Sequence, residues 1–558
     1  VSTYDPSSKF ENSQIYKIQV GVLRPGEYGT TFRCGRRDQY LNIFTKPSSS
    51  QLFMQRYREF VSAARPDTRQ GYGARLSRPQ LCEWVPQMCQ DGVKRPVVDL
   101  STARSGWRAA GSQLEQPPWN HWPEELTDQI LSDVMFSLQS VLVQSVNTFT
   151  NVSWEIELSK GSKICGNNAE YVVPTAWMKM VPVRENFLRY GVDMYFGKQR
   201  DLVAIYDATA EDEAHSCWKP SDTEQGEPSK KKWLELKLLG MAAVLSLQPY
   251  VYHAMEKITI GGVMWSAIYD LPIGHPIRNT MSPFAHRSLE KVQQIFHTTL
   301  ESGDFFRMQT GLTVEGWKMV TDMAATLALK FSYPTGTPEF WERRGLSKSK
   351  MPIVTFGSQV RDRQKTFVKT ALHSLDVPSN PLADRHTAKF AAAVRKQWKL
   401  SETDIPLNTI DDLADFLAEL LYRMSVTHTN THHHPICHST MPNANVFPMQ
   451  LIRSSNGAVY PTSDHHAATM IIWDMGTEPM PRLDYPLAKH GAFLISDKQK
   501  TKKLEMAYDD YQKGLMEIES NVHEYNRKRC SGGDYATGSG CLPYSCVMPR
   551  ELLMSYGI

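Results

Sequence analysis

The chain has 558 residues, 41% apolar and 10% aromatic, with a formal net charge of +3. That balance is globular, with ample material for a core, and near-neutrality without a basic stripe interleaved with aromatics gives no reason to expect nucleic acid as a partner. Length permits three or four domains, or one large helical enzyme unit. No apolar stretch is long enough for a membrane span, so no transmembrane segment is expected. The nearest, Leu238 to Val251, contains Gln248 and Pro249 and runs into His253, as a buried core helix does. The sequence begins at Val1 rather than Met, which suggests a removed segment such as a signal peptide. Nine cysteines leave at least one thiol outside intrachain pairing. Cys82/Cys89 and Cys530/Cys541/Cys546 are close enough for local disulfides and lack zinc spacing. With the sequon Asn151-Val152-Ser153 they point to secretion, a cytoplasmic location being the alternative.

In chain order, residues 1–120 are rich in Pro, Gly, Arg and Ser and read as an irregular segment packed on a main body spanning 121–558. A helix is predicted from about Pro123 to Val146, with Ile130, Val134, Phe136, Leu138, Val141 and Val143 on its apolar side. Residues 150–210 alternate in a strand-like way, as in Val152-Ser153-Trp154-Glu155-Ile156-Glu157-Leu158. Asp207 to Lys232 reads as an exposed loop, and from Trp233 onward long helical windows dominate. Between Lys503 and Arg529, Leu504, Tyr508, Tyr511, Leu515, Ile518, Val522 and Tyr525 alternate by fours and threes. That is either a dimerising coiled-coil seam or, as favoured here, an amphipathic helix against the body. The Lys498, Lys500, Lys502 and Lys503 cluster opening it reads as a solvated face, and Ser531 to Gly540 as a flexible linker without phosphate-loop residues. Neither internal repeats nor a Gly-x-Ser-x-Gly elbow is present.

The most informative stretch lies between these. Leu413, Phe416, Leu417, Leu420, Leu421 and Met424 follow one helix face, and the same face continues through His428, Thr431 and His432. Two imidazoles one turn apart on a buried face need polar partners, and a bound metal is the simplest. Hydrogen-bonded core histidines, or a surface chelating tract of His432, His433, His434 and His438, are the bland alternatives. Pro435 ends the helix.

Three segments together with this pair resemble the lipoxygenases. Leu271-Pro272-Ile273-Gly274-His275-Pro276-Ile277 and Ser282-Pro283-Phe284-Ala285-His286 are similar to the family's His-Pro and Pro-His segments, with two extra residues between the histidines. Thr427-His428-Thr429-Asn430-Thr431-His432 followed by Pro442-Asn443-Ala444 resembles its second metal helix and downstream Pro-Asn. The segment from Leu542-Pro543-Tyr544 to Met554-Ser555-Tyr556-Gly557-Ile558 resembles its C-terminus, whose final carboxylate binds the metal. Arg344-Gly345-Leu346 and a Trp233 opening the helix of His253 are lesser echoes, so the likeness runs from Trp233 to Ile558. No amino-terminal β-sandwich lipid-binding module is recognisable. The resemblance implies a mostly α fold, a large helical catalytic domain with minor β content in the N-terminal half.

It also implies a mononuclear non-haem centre of iron, or alternatively manganese, held by His253, His428, His432 and the Ile558 carboxylate. The family's first metal helix carries two histidines five apart, and here only His253 is present. Counted from Trp233, His253 fits the second of the two and Gln248 stands where the first should be. If His253 is instead the first, the second is missing from Ala254-Met255-Glu256-Lys257-Ile258, where Glu256 is the chemically better substitute and Lys257 a third candidate. The implied activity is a dioxygenase taking a hydrogen atom from a polyunsaturated fatty acid and adding O2 to give a hydroperoxide. A tailoring oxygenase or cyclase for a specialised metabolite, or a lipid-binding relative without turnover, are the alternatives. Ile260 and Met264 are candidate channel wall, with ordinary core packing as their bland reading.

Overall fold

The computed structural model describes residues 125–152, 154–185, 187–247, 251–267, 271–272, 274–281, 284, 310–330, 332–349, 351–433, 448, 451–453, 459–461, 497–529, 544, 546–549 and 552. The segment 1–120 lies outside them. Among the described residues helices dominate, with a five-stranded antiparallel meander in the N-terminal half.

The expected helix over 123–146 is shorter than its apolar pattern. Helix α1 covers Asp128–Asp133, capped by the Thr127 hydroxyl accepting from the Ile130 N–H, and gives way to a π-helical turn at Val134–Leu138 and a 3-10 turn at Ser140–Leu142. Strand β1, Gln144–Ser145, then pairs with β2, Tyr171–Pro174. The β-branched valines near that end suit a sheet edge as well as a helix, which periodicity alone does not show. Strands β3 (Val192–Phe196), β4 (Leu202–Asp207) and β5 (Cys217–Trp218) complete the meander, in register Tyr171↔Phe196, Val192↔Asp207 and Ile205↔Trp218. Of the alternating stretch 152–158, the described residues join no strand. Its Glu155 is buried and accepts from Arg344 Nε at 3.2 Å.

The expected loop 207–232 is also more structured than its composition suggests. It contains β5, and a disulfide joins Cys165 to Cys217, 52 residues apart, fastening the sheet's last strand. Cys82/Cys89 and two of the three C-terminal cysteines lie outside the described residues, and Cys546 is buried.

Helix α2, Glu227–Leu247, lies against the sheet, and a side chain at Gly240 would come within 2.5 Å of the Met194 sulfur on β3. The remaining body is helical: α3 (His253–Trp265), α4 (Pro276–Met281), α5 (Val314–Ala328), α6 (Pro338–Arg343), α7 (Ser358–Ser374), α8 (Arg385–Trp398), α9 (Ile410–Tyr422) and α10 (Lys498–Arg529). No helix among the described residues is long and apolar enough to cross a membrane. On α10, Leu504, Tyr508, Tyr511, Leu515, Ile518 and Val522 are buried, and Phe367 of α7 stacks on Tyr511 with ring centroids 5.3 Å apart. The seam therefore faces the body of its own chain.

Helix α9 departs most from its reading. Its sequence shows one apolar stripe, yet every residue from Phe416 to Thr431 is buried, including Glu419, Arg423 and Asn430. It is a central helix whose polar residues are satisfied internally.

Two outcomes follow from these contacts. Replacing Cys165 and Cys217 by alanine should cost roughly 2–5 kcal/mol of stability, read from urea unfolding; an unchanged midpoint counts against a fastening role. The second concerns His275, whose Nε2 lies 3.1 Å from Asp384 Oδ2 at the start of α8. Burial pushes the imidazole below its ordinary pKa, although Asp384 pulls the other way. Asp384 is partly buried, but bonds from Thr387 and His275 bring it down to about 2. For both groups the unfolded chain binds the proton more readily, so stability rises with pH. The His275 contribution should be present above about pH 6.5 and lost as pH falls below it. His275→Gln should flatten that limb of the stability–pH curve and leave the more acidic Asp384 limb shallower.

Candidate metal centre

Helices α3 and α9 bring two histidines together in the interior. His253 opens α3 at 5% exposure, and His428, beyond the end of α9, is fully buried. Their Nε2 atoms lie 2.9 Å apart, with ring centroids separated by 4.8 Å and planes inclined at 46°. Two imidazoles bound at right angles to one ion, each about 2.1 Å from it, have nitrogens about 3 Å apart. The spacing fits two ligands of one metal as well as a single N–H···N bond, and the buried nitrogen pair suits a borderline ion.

Local helix geometry sets this meeting. Helix α9 passes into one π-helical turn at Arg423–Thr427 and another at Thr429–His433, with His428 between them. Val251 and Tyr252, just before His253, are also π-helical. Such turns recur at functional sites because the wider turn reorients side chains that a regular helix would present elsewhere. Around His428, Thr427, Thr429, Asn430 and Thr431 are all buried, a polar collar in the interior. The amide of Asn430 donates to Val426 O at 2.7 Å and to Cys546 O at 3.3 Å, tying the C-terminal segment to this helix. Asn526 of α10 holds that segment too, donating to Tyr544 O at 2.7 Å and accepting from the Tyr544 N–H at 2.8 Å.

Beneath the histidines lies a buried ionic chain. Arg423 Nη1 reaches Glu256 Oε2 at 2.9 Å and Oε1 at 3.1 Å, while its Nε reaches Glu419 Oε1 at 2.9 Å. Glu256 also accepts from Trp154 Nε1 at 2.7 Å. Glu419 accepts from the Thr335 N–H at 2.9 Å and from Arg361 Nε at 3.4 Å. Arg361 continues to Asp415, and Lys365 closes on Asp415 at 3.0 Å near the surface. Burial disfavours the Arg423 charge, but Glu256 and Glu419 together outweigh it and hold the guanidinium charged.

No family model and no curated protein matches the sequence. The structure does have relatives. A manganese lipoxygenase of Gaeumannomyces graminis superposes with a TM-score of 0.59 at 13% identity, over 94% of this chain and 98% of that one. A coral 8R-lipoxygenase gives 0.55 at 15% identity, over 84% and 76% of the two chains. The chain has a lipoxygenase-like fold. A calcium-dependent 11R-lipoxygenase also superposes, with a TM-score of 0.55 at 14% identity over 77% of this chain. This chain spans 66% of that protein's length.

Within the lipoxygenase-like fold, the site residues read from sequence fall into three groups. His253 and His428 meet. His432 has its backbone in the second π-helical turn, while its side chain, Gln248, His286 and Ile558 lie outside the described residues. Glu256 is directed elsewhere: both carboxylate oxygens bind Arg423, and Oε1 also binds Trp154. Its proposed service as a substitute ligand gives way to a structural one, because releasing it would strip Arg423 of a counter-charge. The other spare histidine, His275, bonds to Asp384 and Thr387. Among the described residues no group of three His, Cys, Asp or Glu stands in metal-binding arrangement. Lys257 has its backbone in α3 and its side chain outside the description, and Ile260 and Met264 pack in the core.

Sequence reasoning missed Arg423 and Glu419. Their signal was a pair of opposite charges four apart in the middle of an apolar helix, a spacing that lets them bond along it. Arg423→Met should cost roughly 3–5 kcal/mol, since it leaves two buried carboxylates facing each other. Adding Glu256→Gln and Glu419→Gln should recover part of that loss in urea unfolding. If the single variant is as stable as the parent, the chain does not have this role.

Proposed function

We propose that the protein is a non-haem metal dioxygenase that forms hydroperoxides from polyunsaturated fatty acids. The observation that carries this reading is the 2.9 Å approach of His253 and His428 Nε2 inside a lipoxygenase-like fold. His253 and His428 would hold the ion, completed by His432 and the Ile558 carboxylate, with iron as first choice and manganese as second. A bound redox-active ion supplies the one-electron chemistry that begins the reaction of such a substrate with O2. The residues of the chain would do the rest. Neutral imidazole nitrogens are the form in which these two histidines would serve as ligands. Met255, Ile260 and Val263, fully buried near His253 on the same helix, would help to keep water from the reacting carbon. A fatty acid as substrate accords with a structurally similar lipoxygenase solved in complex with arachidonate, at a TM-score of 0.53 and 14% identity.

The Ile558 carboxylate is the sharpest part of the proposal. A chain end is ordinarily exposed, whereas the segment before this one is held by Asn430 and Asn526 and its Leu552 is fully buried. An apolar tail ending in a carboxylate needs a cationic partner to be buried.

Purified protein should contain close to one equivalent of iron or manganese by elemental analysis. It should consume O2 with linoleate and form a conjugated-diene hydroperoxide. His253→Ala and His428→Ala should each lose the metal and keep their helical circular dichroism. Deleting Ile558 should lose metal and activity together. Full metal occupancy in both histidine variants would refute the centre; metal without linoleate turnover would leave the centre and remove the fatty-acid substrate.

A further inference from the structure

Asn151 and Val152, the first two residues of the sequon Asn151-Val152-Ser153, sit on a turn that presents the asparagine. Asn151 is exposed and adopts φ +56°, a left-handed conformation that asparagine tolerates better than most residues. The turn is fixed from both sides. The Thr150 N–H and hydroxyl donate to Glu155 Oε2 at 2.7 and 2.9 Å, and the Glu155 N–H donates to Val152 O at 2.9 Å. The other oxygen of Glu155 is held by buried Arg344, so the loop rests on the interior. Val152 packs half-buried on the core while Asn151 stands outside.

Two residues before the asparagine is Phe149, 45% exposed and one of the few large apolar side chains left open to water among the described residues. Lys330 Nζ lies 6.0 Å from the Phe149 ring centroid, at the end of a flexible side chain that can move aside. A sugar offers what such a ring can bind, because the slightly positive C–H face of a pyranose complements the negative face of the π-system. The Cys165–Cys217 disulfide independently suits the oxidising compartment in which asparagine is glycosylated.

We propose that Asn151 carries an N-linked oligosaccharide whose first N-acetylglucosamine rests on Phe149. In the transfer, the Asn151 carboxamide nitrogen forms a C–N bond to the anomeric carbon of a lipid-diphosphate-linked oligosaccharide. The anomeric C–O bond breaks, the lipid diphosphate leaves with its electron pair, and the amide gives up one proton. Nothing is oxidised or reduced. The inference does not depend on the oxygenase reading.

The test uses the full chain secreted by a eukaryotic host and mapped as peptides without reduction. The peptide containing Asn151 should carry a glycan that peptide-N-glycosidase removes, and the Cys165–Cys217 cross-link should be found in the same digest. Ser153→Ala should abolish the modification and Ser153→Thr should retain it. Stripping the glycan enzymatically should lower the melting temperature of the parent but leave that of Phe149→Ala unchanged. An unmodified Asn151 in the secreted protein overturns the site. An equal drop in melting temperature for Phe149→Ala overturns the contact with the ring.

Discussion

Arg423 lies between the two helices that bear the histidines, and each places a carboxylate against it. Glu256 comes from one helix, a turn beyond His253, and Glu419 from the other, a turn before Arg423. An isolated charge in this interior would be costly, and a buried pair does little better than a pair of apolar residues. What the arrangement gives is uniqueness. Only one relative placement of α3 and α9 lets a single guanidinium satisfy both carboxylates and still donate to Ser332 O at 3.2 Å. Sliding either helix by one turn would expose unpaired charge to the core. The 2.9 Å approach of the imidazoles rests on that constraint, because a core of leucines alone tolerates small displacements cheaply.

The chain of charges continues outward as Glu419, Arg361, Asp415 and Lys365, alternating in sign until Lys365 reaches partial exposure. Alternation keeps the interior close to neutral. It also gives the polar edge of α9 a defined partner on α7, whose aromatic Phe367 meets the tyrosines of α10. Three helices are thereby placed by one row of ion pairs and one row of rings.

The sequence disclosed the elements whose patterns are uniform, and the site only where it touched such a pattern. The α10 seam and the His428 face both follow helical spacing, and both are buried as that spacing implies. Pairing His253 with His428 across 175 residues was legible only through the family resemblance. Other features were hidden for definite reasons. A π-helical turn leaves no periodic trace, since one displaced hydrogen bond alters the helix without altering composition. Val152 to Leu158 alternates like a strand, yet Trp154 turns inward to Glu256 and Glu155 to Arg344, contacts made over 102 and 189 residues. The Cys165–Cys217 bond was missed because nearness in sequence was a poor guide to nearness across a meander.

Those long separations carry a consequence for how the protein assembles. The contacts defining the centre close loops of 102, 167 and 175 residues, and Asn430 meets Cys546 across 116 more. Loop closure costs entropy before such contacts return any energy, so local helices form early and the centre forms near the end. In the interval the histidines, the charged row and the apolar faces are all open to solvent. The aligned histidine pair is in this sense a late product of the folding path, and whatever slows the docking of Tyr544 and Cys546 prolongs its exposure to solvent.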